Sequence, residues 1–438
     1  PTEPVRVSPG SSMTASPSVR STGRLAGTWS LGVDGSELPE GWSWSDSTAG
    51  GISNIEIGVD QTWSPDIVIT APSEALGSDS GYLSLTLTLD EDSNISVSAN
   101  LPIEANRTRG LSLRGPDGTA QSSGYGLPGQ NAESWFIAEN LGNAEEDQIL
   151  LSWDSTSWGN DLRLYDTGGA ERSALILGPG EELALVATLD VPLDTPVGDS
   201  VNTPLTMCVG TGTEEEACQT IQLTFYSSNV VSGNHIRSVP MDGLEWSVIS
   251  EMPSDSGTIT WSLSEMGMAM QGWSWAGTGD LSISGDSVIM SGSPGETSSG
   301  SIVANLPEDA SPAFHYFSDT SQESSEHNLI ITLEVLQIFR SNVTVISPQV
   351  QPYLVEVEEG SLIVLRLENP GNGEDAYSLD YSVVLDSNIT SDPGVDVEFS
   401  IGQVGLTSGS LTTIPVTVTL PESTPAGVPL WIEFTVTS

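Results

Sequence analysis

The chain has 438 residues, and its 59 acidic residues against 11 basic ones, all of them arginine, give a net charge of −48. This shortage of cations excludes nucleic-acid binding, which needs a positive surface to neutralise phosphates, and it excludes docking on anionic lipid for the same reason. A lysine-free acidic chain suits a saline exterior. The alternative is a secreted protein with a hydroxyl-rich surface and no requirement for salt.

The N-terminal quarter of the chain predicts short strands. Apolar residues alternate with Ser and Thr in Leu83–Leu89 and Ile95–Val97, and this period of two is typical of strands with one buried and one solvated face. Clusters of Gly, Pro, Asn and Asp separate similar runs along the whole chain, and no amphipathic helix is evident. The predicted fold class is therefore all-β, with tandem Ig-like antiparallel β-sandwich domains.

A long internal repeat organises the sequence. The motif Asn140-Leu-Gly-Asn143 aligns with Asn369-Pro-Gly-Asn372 at an offset of 229 residues (369 − 140), and residues 191–198 align with 420–427 at the same offset. Upstream, Gly41-Trp-Ser-Trp44 aligns with Gly272-Trp-Ser-Trp275. The simplest interpretation is two copies of a two-domain unit.

We name the modules A1, B1, A2 and B2. The predicted boundaries are 1–22 for an extended N-terminal segment, 23–106 for A1, 107–228 for B1, 229–340 for A2 and 341–438 for B2. By the offset, residue 438 corresponds to residue 209, so B2 is expected to lack the counterpart of the last strand of B1. Three explanations stay open: an excerpt from a longer chain, a different end to B2, or a strand donated by a neighbour.

The two cysteines, Cys208 and Cys218, flank a short loop between two strand-like runs. A cross-strand disulfide is expected there and would indicate an oxidising compartment, while two free, half-buried thiols are the alternative. No run of eighteen apolar residues occurs, so no transmembrane helix and no direct membrane insertion are predicted.

The Asn-x-Gly-Asn turns, followed by an acidic residue and an alternating strand, resemble CARDB-like and related Ig-like modules of secreted archaeal and bacterial surface proteins. In B1 the resemblance includes Gly178-Pro-Gly-Glu181 and the Pro-x-x-x-Pro-x-Gly run that ends at Gly198, whereas B2 has Ser408-Gly-Ser410 in place of Pro-Gly-Glu. It covers B1 and B2 well and the A modules only weakly. The resemblance implies an extracellular spacer, adhesion or assembly role, and some relatives are accessory modules of glycoside hydrolases.

No residue pattern indicates catalysis. The three histidines, His235, His315 and His327, lack metal-ligand spacing and are expected in solvent-exposed loops. The Trp pairs Trp42/Trp44 and Trp273/Trp275 lie two residues apart, so on a strand each pair faces one side. Facing inward they would fill a core, and facing outward they could stack on a sugar ring. We expect core packing, with sugar stacking as the alternative.

Acidic clusters and sequons define the remaining candidate sites. Oxygen ligands suit calcium, so a calcium site is an expectation at the clusters that hold Asp90, Asp92, Glu145 and Asp147, although such runs are usually solvated. Glycosylation sequons begin at Asn94, Asn106, Asn342 and Asn388, at about the frequency that chance gives in a chain rich in Ser and Thr.

These observations predict a non-enzymatic extracellular structural protein, a component of a cell-surface layer, stalk or filament. Self-association or binding to other surface proteins is expected, and no cofactor other than calcium. The alternatives are a carbohydrate-binding or adhesion protein that binds glycans through its Trp pairs, and an accessory region of a larger secreted hydrolase.

Overall fold

The computed structural model describes residues 3–22, 26–159, 162–211, 216–231, 235–322, 326–348, 355, 357, 360–385, 394–422, 424 and 430–438. Every regular element in these ranges is a β-strand. Among the same residues, none belongs to a helix of the length and hydropathy that a membrane crossing needs. The chain divides into two compact units, Pro1–Ser227 and Ser228–Ser438, and each unit holds one A module and one B module.

Module A1 is a two-layered sandwich around one core. Its strands are β1 (Val5–Val7), β2 (Ser12–Ala15), β3 (Val19–Arg20), β4 (Gly27–Asp34), β5 (Ser43–Asp46), β6 (Ile55–Ile57), β7 (Thr62–Trp63), β8 (Ile67–Thr70), β9 (Ser80–Leu89) and β10 (Asp92–Ala105). The sheet β1-β10-β9-β4-β6 and the sheet β2-β8-β5 share the core, and β3 pairs with β7. Segment 1–22, predicted as an extended stretch, thus supplies three strands to this module.

Module B1 has the strand pairing of an immunoglobulin-like domain. Its strands are β11 (Leu111–Arg114), β12 (Gln121–Gly126), β13 (Asn131–Asn140), β14 (Glu146–Trp153), β15 (Arg163–Asp166), β16 (Ala174–Leu177), β17 (Glu182–Asp190), β18 (Ser200–Val209) and β19 (Ala217–Ser227). One layer is β11-β13-β17-β15 and the other is β12-β19-β18-β14-β16, with β12 also pairing briefly with β13. These layers correspond to the A-B-E-D and G-F-C sheets of the immunoglobulin fold.

Module A2 repeats the A architecture, with its strands divided differently among three sheets. Its strands are β20 (Val230–Val231), β21 (Ile236–Ser238), β22 (Asp242–Glu251), β23 (Thr258–Ser262), β24 (Ser274–Gly279), β25 (Leu281–Ser284), β26 (Ser287–Ser291), β27 (Thr297–Asn305), β28 (Ala313–Thr320) and β29 (Asn328–Val335). The sheets β20-β22-β27-β24, β21-β29-β28 and β23-β26-β25 share one core that includes the fully buried Trp246 and Trp261. Strand β22 shows the expected alternation, with every second residue buried.

In its described residues, module B2 repeats the layers of B1 with fewer strands. Its strands are β30 (Asn342–Ser347), β31 (Ser361–Glu368), β32 (Asp375–Leu385), β33 (Asp396–Phe399), β34 (Gln403–Leu406), β35 (Leu411–Thr419) and β36 (Leu430–Thr437). One layer is β30-β31-β35-β33, matching β11-β13-β17-β15, and the other is β34-β32-β36, matching β16-β14-β18.

The predicted fold class is confirmed: the chain is all-β and consists of tandem Ig-like sandwich domains. The strand pairs are antiparallel with exceptions at three sheet edges, where β1, β12 and β21 run parallel to β10, β19 and β29. In each case an early strand of a module closes against one of its last strands.

Candidate functional site

Each Asn-x-Gly-Asn motif begins with a buried asparagine that fixes its own turn. The Asn140 side chain donates from Nδ2 to the carbonyl oxygens of Ala144 (2.8 Å) and Leu177 (2.9 Å), and its Oδ1 accepts from the Gly142 N–H (2.8 Å). Asn369 makes the equivalent three bonds to Gly373, Leu406 and Gly371. With all three polar groups satisfied, the fully buried amide stabilises the turn and ties it to the neighbouring strand.

The glycine of the motif allows the chains to approach closely. A Cβ atom added to Gly142 would lie 2.6 Å from the carbonyl oxygen of Thr108, and one added to Gly371 would clash with the carbonyl oxygen of Ile338. Both carbonyl groups belong to the segment that leads from the A module into the B module. The motif therefore packs directly against this connection.

The second asparagine of the motif crosses from the B module to the A module. Asn143 donates from Nδ2 to the carbonyl oxygens of Ala75 (3.2 Å) and Asn106 (2.9 Å), and its Oδ1 accepts from the N–H of Thr108 (2.7 Å). Its backbone carbonyl also accepts from the Gly77 N–H (2.6 Å). One residue thus holds a turn of A1, the last residue of A1 and the connection to B1.

Unit 2 repeats this arrangement. Asn372 donates to the carbonyl oxygens of Ala310 (2.9 Å) and Leu336 (3.1 Å) and accepts from the N–H of Ile338 (2.6 Å). We call Asn143 and Asn372 the junction amides. In both units the three groups that bond to the junction amide belong to the backbone. The contact therefore depends on the backbone conformation of the A module and the connection and not on which side chains they carry.

The junction of unit 1 also holds a buried carboxylate that is paired with two arginines. Glu146 is only 2% exposed, and its two carboxylate oxygens lie 2.9 Å from Arg107 Nη2 and 3.2 Å from Arg109 Nε. Arg107 also donates to the carbonyl oxygen of Glu145 (2.6 Å). A buried carboxylate is unfavourable without such partners, so the two arginines on the connection make the burial of Glu146 possible.

The junction of unit 2 replaces these charged partners. Gln337 stands where Arg107 is found and donates to the carbonyl oxygen of Glu374 (2.6 Å), whereas Phe339 stands where Arg109 is found and is largely exposed. Asp375 replaces Glu146. Its Oδ1 accepts from the Ala376 N–H, and its carboxylate lies beside the Tyr377 hydroxyl.

The buried Tyr377 packs beside this aspartate. Its hydroxyl donates to the carbonyl oxygen of Arg340 (2.7 Å). Burial, and then the negative charge of Asp375, raises the pKa of Tyr377 to about 12. The hydroxyl therefore stays protonated at physiological pH and acts as a hydrogen-bond donor. Unit 2 thus has the uncharged bond from Tyr377 to the Arg340 carbonyl oxygen at its junction, where unit 1 has the two arginines.

The Trp pairs face the cores of the A modules. Trp42 is 8% exposed and donates from Nε1 to Asp79 Oδ2 (3.2 Å), while Trp44 is half-buried against the same core. Trp273 and Trp275 are half-buried and lie 5.8 Å apart at a tilt of 30°, with Phe317 edge-on to both. Neither pair presents two coplanar exposed indoles to a sugar ring.

The histidines are not in exposed loops, and that expectation is wrong. His315 lies on β28, half-buried between Trp273 and Phe317, and burial lowers its pKa. His327 is 3% exposed, with Nε2 3.1 Å from the carbonyl oxygen of Glu251. His235 is half-buried beside Phe314, and burial lowers its pKa to about 4.

The cysteines and sequon asparagines occupy varied positions. Cys208 and Cys218 face each other across β18 and β19 and are joined by a disulfide. Asn94 is exposed beside a hairpin, Asn342 is exposed and donates to Glu368, and Asn106 is half-buried at the junction, where it donates to Ser8 Oγ. Asn388 lies outside the described residues.

The predicted calcium ligands do not converge. Asp90 and Asp92 are exposed at the turn between β9 and β10, and Glu145 and Asp147 are exposed on either side of the buried Glu146. Within the described part of the chain, the one group of three potential ligands is Cys208, Glu216 and Cys218. Its sulfur atoms are in the disulfide and are not thiolate ligands.

Comparisons with known proteins give no family. No protein-family model matches the chain, and no curated protein matches it. Solved structures with partial likeness include the protocadherin gammaB7 EC3-6 cis-dimer (13% identity, 99% of this chain and 96% of that chain, TM-score 0.30) and the human desmocollin-1 ectodomain (9%, 90% and 91%, 0.24). A PapD-like domain of human CEP192 matches 27% of this chain (14% identity, 84% of that chain, TM-score 0.19). These TM-scores are too low to carry an argument, so the Ig-like assignment rests on strand pairing.

Proposed function

We propose that the chain is an extracellular, non-enzymatic structural protein that contributes stiff two-domain units to a cell-surface layer, stalk or filament. The observation that carries the proposal is the junction amide, which in both units binds three backbone groups that belong to the A module or to the connection between the modules. A hinge between modules would require these hydrogen bonds to break together. Repetition of a stiff unit is what a spacer needs, and catalysis gains nothing from it.

Three further observations support this proposal, and the last of them argues against the carbohydrate-binding alternative. The disulfide suits an oxidising compartment. The resemblance to CARDB-like modules implies a secreted surface protein. The Trp pairs, which the carbohydrate-binding alternative would use, face the module cores. Calcium is not required by this proposal, because Arg107 and Arg109 already neutralise the buried acid of the unit 1 junction.

The proposal is tested at the junctions. We expect Asn143→Ala and Asn372→Ala together to weaken the contact between the A and B modules in both units. Each substitution removes three hydrogen bonds and leaves backbone groups unsatisfied, which should destabilise each junction by about 1–3 kcal/mol. Small-angle X-ray scattering should show a broader distribution of dimensions, and protease should cut near residues 107–110 and 337–340. The matched control is Asn131→Ala, an exposed asparagine at the start of β13. A double variant as compact and resistant as this control would contradict the proposal.

Assembly is tested on the native protein. Light scattering and negative-stain imaging of material from its source should reveal polymers or an ordered layer. A discrete monomer would exclude the layer or filament role. A glycan-binding screen would then test the carbohydrate-binding alternative. Binding that is lost when Trp42 and Trp273 are replaced would support that alternative.

A further inference from the structure

The junction amide of unit 2 lies in a sequence that favours its chemical loss. Asn372 is followed by Gly373, and this is the one Asn-Gly pair among the 438 residues of the chain. The equivalent Asn143 is followed by Ala144. An asparagine is converted to aspartate when the backbone nitrogen of the next residue attacks its Cγ, and a glycine there favours this attack because it has no Cβ and allows more backbone conformations. The two junction amides therefore share their contacts but differ in reactivity.

The glycine is held in this position by packing against the A module. A Cβ atom added to Gly373 would lie 2.9 Å from Pro312 Cγ and 2.9 Å from Gln337 Cδ, so an alanine there would require these side chains to shift. In unit 1 the residue that corresponds to Pro312 is Gly77, two residues after the carbonyl group that the junction amide binds in each unit. Ala144 packs against that glycine, where an added Cβ would lie 2.8 Å from the alanine Cβ. The reactive Asn-Gly pair thus follows from how A2 packs on B2.

The closed junction protects Asn372 from this reaction. Its side chain is 2% exposed, and it makes the three hydrogen bonds to A2 and to the connection that are described above. The carbonyl oxygen of Gly373 also accepts from Asn369 Nδ2 (2.8 Å), which fixes the peptide group after the glycine. Ring closure moves Asn372 Cγ towards the Gly373 nitrogen and makes this carbon tetrahedral, so the bonds of the planar amide must break first. Deamidation is therefore expected only from the opened junction.

We propose that Asn372 is a deamidation site, protected while the junction is closed, whose conversion breaks the A2–B2 junction permanently. The Gly373 nitrogen gives up its proton and bonds to Asn372 Cγ, and the side-chain nitrogen leaves as ammonia. Water then opens the cyclic imide at either carbonyl group, which gives aspartate or isoaspartate. Overall, one side-chain amide and one water become one carboxylate and one ammonium ion, and the reaction needs no oxidant.

The product cannot rebuild the junction. A carboxylate donates no hydrogen bond, so the carbonyl oxygens of Ala310 and Leu336 lose this donor and face a negative charge instead. Asp375, three residues further along, adds a like charge to the same turn. The site deepens the proposed function, on which it rests, because it gives the stiff contact of unit 2 a limited lifetime that unit 1 does not share.

The first experiment compares the two amides within one chain. The full chain is incubated in mildly alkaline buffer, and peptide mapping by mass spectrometry follows the conversion of Asn372 and Asn143. We expect Asn372 to convert at least about tenfold faster than Asn143, and a free peptide of residues 366–378 to convert at least about tenfold faster than the folded chain. Equal rates at the two asparagines would overturn the proposal, and so would a folded chain that converts as fast as the peptide.

The matched control variant exchanges the small residues of the junction. Pro312→Gly with Gly373→Ala gives unit 2 the glycine and the alanine that unit 1 has at these positions, and it should slow the conversion of Asn372 to the rate of the unit 1 amide. Gln337→Ala should have the opposite effect, because it removes a hydrogen bond of the connection and weakens the closed junction. If either variant leaves the rate unchanged, the glycine or the opening of the junction does not control the reaction and the proposal is wrong.

Release of the junction is measured on the product. Chains that have gained the new charge are separated by anion exchange and compared with unmodified chains by amide hydrogen exchange of residues 337–340, which include the Ile338 N–H that binds Asn372. We expect exchange there to be about tenfold faster or more in the product, while residues 107–110 stay unchanged. Unchanged protection of residues 337–340 would overturn the release. The stiffness of the units is tested apart from this by Asn143→Ala with Asn372→Ala, so the two proposals can fail separately.

Discussion

The two A–B junctions share their amide contacts and differ in their charges. Asn143 and Asn372 bind equivalent backbone groups in both units, whereas the buried Glu146 with its two arginines is replaced in unit 2 by Asp375, Gln337 and Phe339. The element retained in both units is the one that fixes geometry. The arginine pairs occur where the acid is the longer, buried Glu146, and in unit 2 the amide contacts occur without them.

The largest expected effect separates the two junctions directly. Arg107→Ala with Arg109→Ala leaves Glu146 buried without a partner, which should destabilise the unit 1 junction by about 3–5 kcal/mol. The matched change in unit 2, Gln337→Ala with Phe339→Ala, removes one hydrogen bond and should have an effect of about 1 kcal/mol. Hydrogen exchange of β14 and β32 reports each junction separately, which a single melting temperature of a multidomain chain cannot do. Equal losses of stability in the two units would contradict the conclusion that only the unit 1 junction depends on charged partners.

A smaller effect distinguishes the units by pH. All three histidines lie in A2, and burial holds the pKa of His235 at about 4, below its ordinary 6.5, and lowers that of His315. The unfolded chain therefore takes up protons first, so the stability of A2 is complete above pH 6.5 and is lost as the pH falls from 6.5 towards 4. The charges near His235 are those of the Arg237–Glu334 ion pair, 2.6 Å apart.

Hydrogen exchange of the A2 strand β22, compared at pH 7 and pH 5 after correction for the intrinsic pH dependence of exchange, should show a loss of stability of about 1 kcal/mol. Module A1 contains no histidine and is the internal control, and His235→Gln with His315→Gln should reduce the shift. An equal fall in A1 would assign the effect to the carboxylates, which are distributed over both modules.

The smallest expected effect comes from transplanting the ion pair. Gln337→Arg with Phe339→Arg gives Asp375 the two guanidinium neighbours that Glu146 has in unit 1. A gain of about 0.5 kcal/mol is expected, because the new pairs are partly solvated. Hydrogen exchange of β32 measures this gain in stability, which should disappear in 1 M salt because salt screens the new ion pairs. A loss of stability would show that the aspartate is too short to use the arginines.

The sequence predicts the fold better than it predicts the junction. Alternation of apolar and hydroxyl residues is local, so runs such as Leu83–Leu89 identify strands directly, and the Asn-x-Gly-Asn repeat identifies the duplication. The partners of Asn143, however, lie 68 and 37 residues away in Ala75 and Asn106 and are backbone groups, so no residue type marks them. The one available signal was that both asparagines recur at the same offset as the turn itself.

The histidine expectation failed for a related reason. Polarity alone places His327 in solvent, yet the carbonyl oxygen of Glu251 lies 3.1 Å from its Nε2 inside the module. That partner is 76 residues away in the sequence. The residues next to a histidine in the sequence do not predict contacts at this separation, whereas the alternation that marks a strand is visible in adjacent residues.

The backbone-only contacts of the junction amides have an evolutionary consequence. The Asn143 side chain bonds to backbone carbonyl and N–H groups of A1 and of the connection, and to no side chain of A1. The A1 residues around the junction can therefore be substituted without loss of these bonds, provided that the backbone of the turn and of the connection keeps its conformation. An A module from one unit should therefore join a B module from the other. Such interchangeable joints allow a gene to lengthen by duplicating whole units, and the 229-residue offset is the trace that one such event would leave.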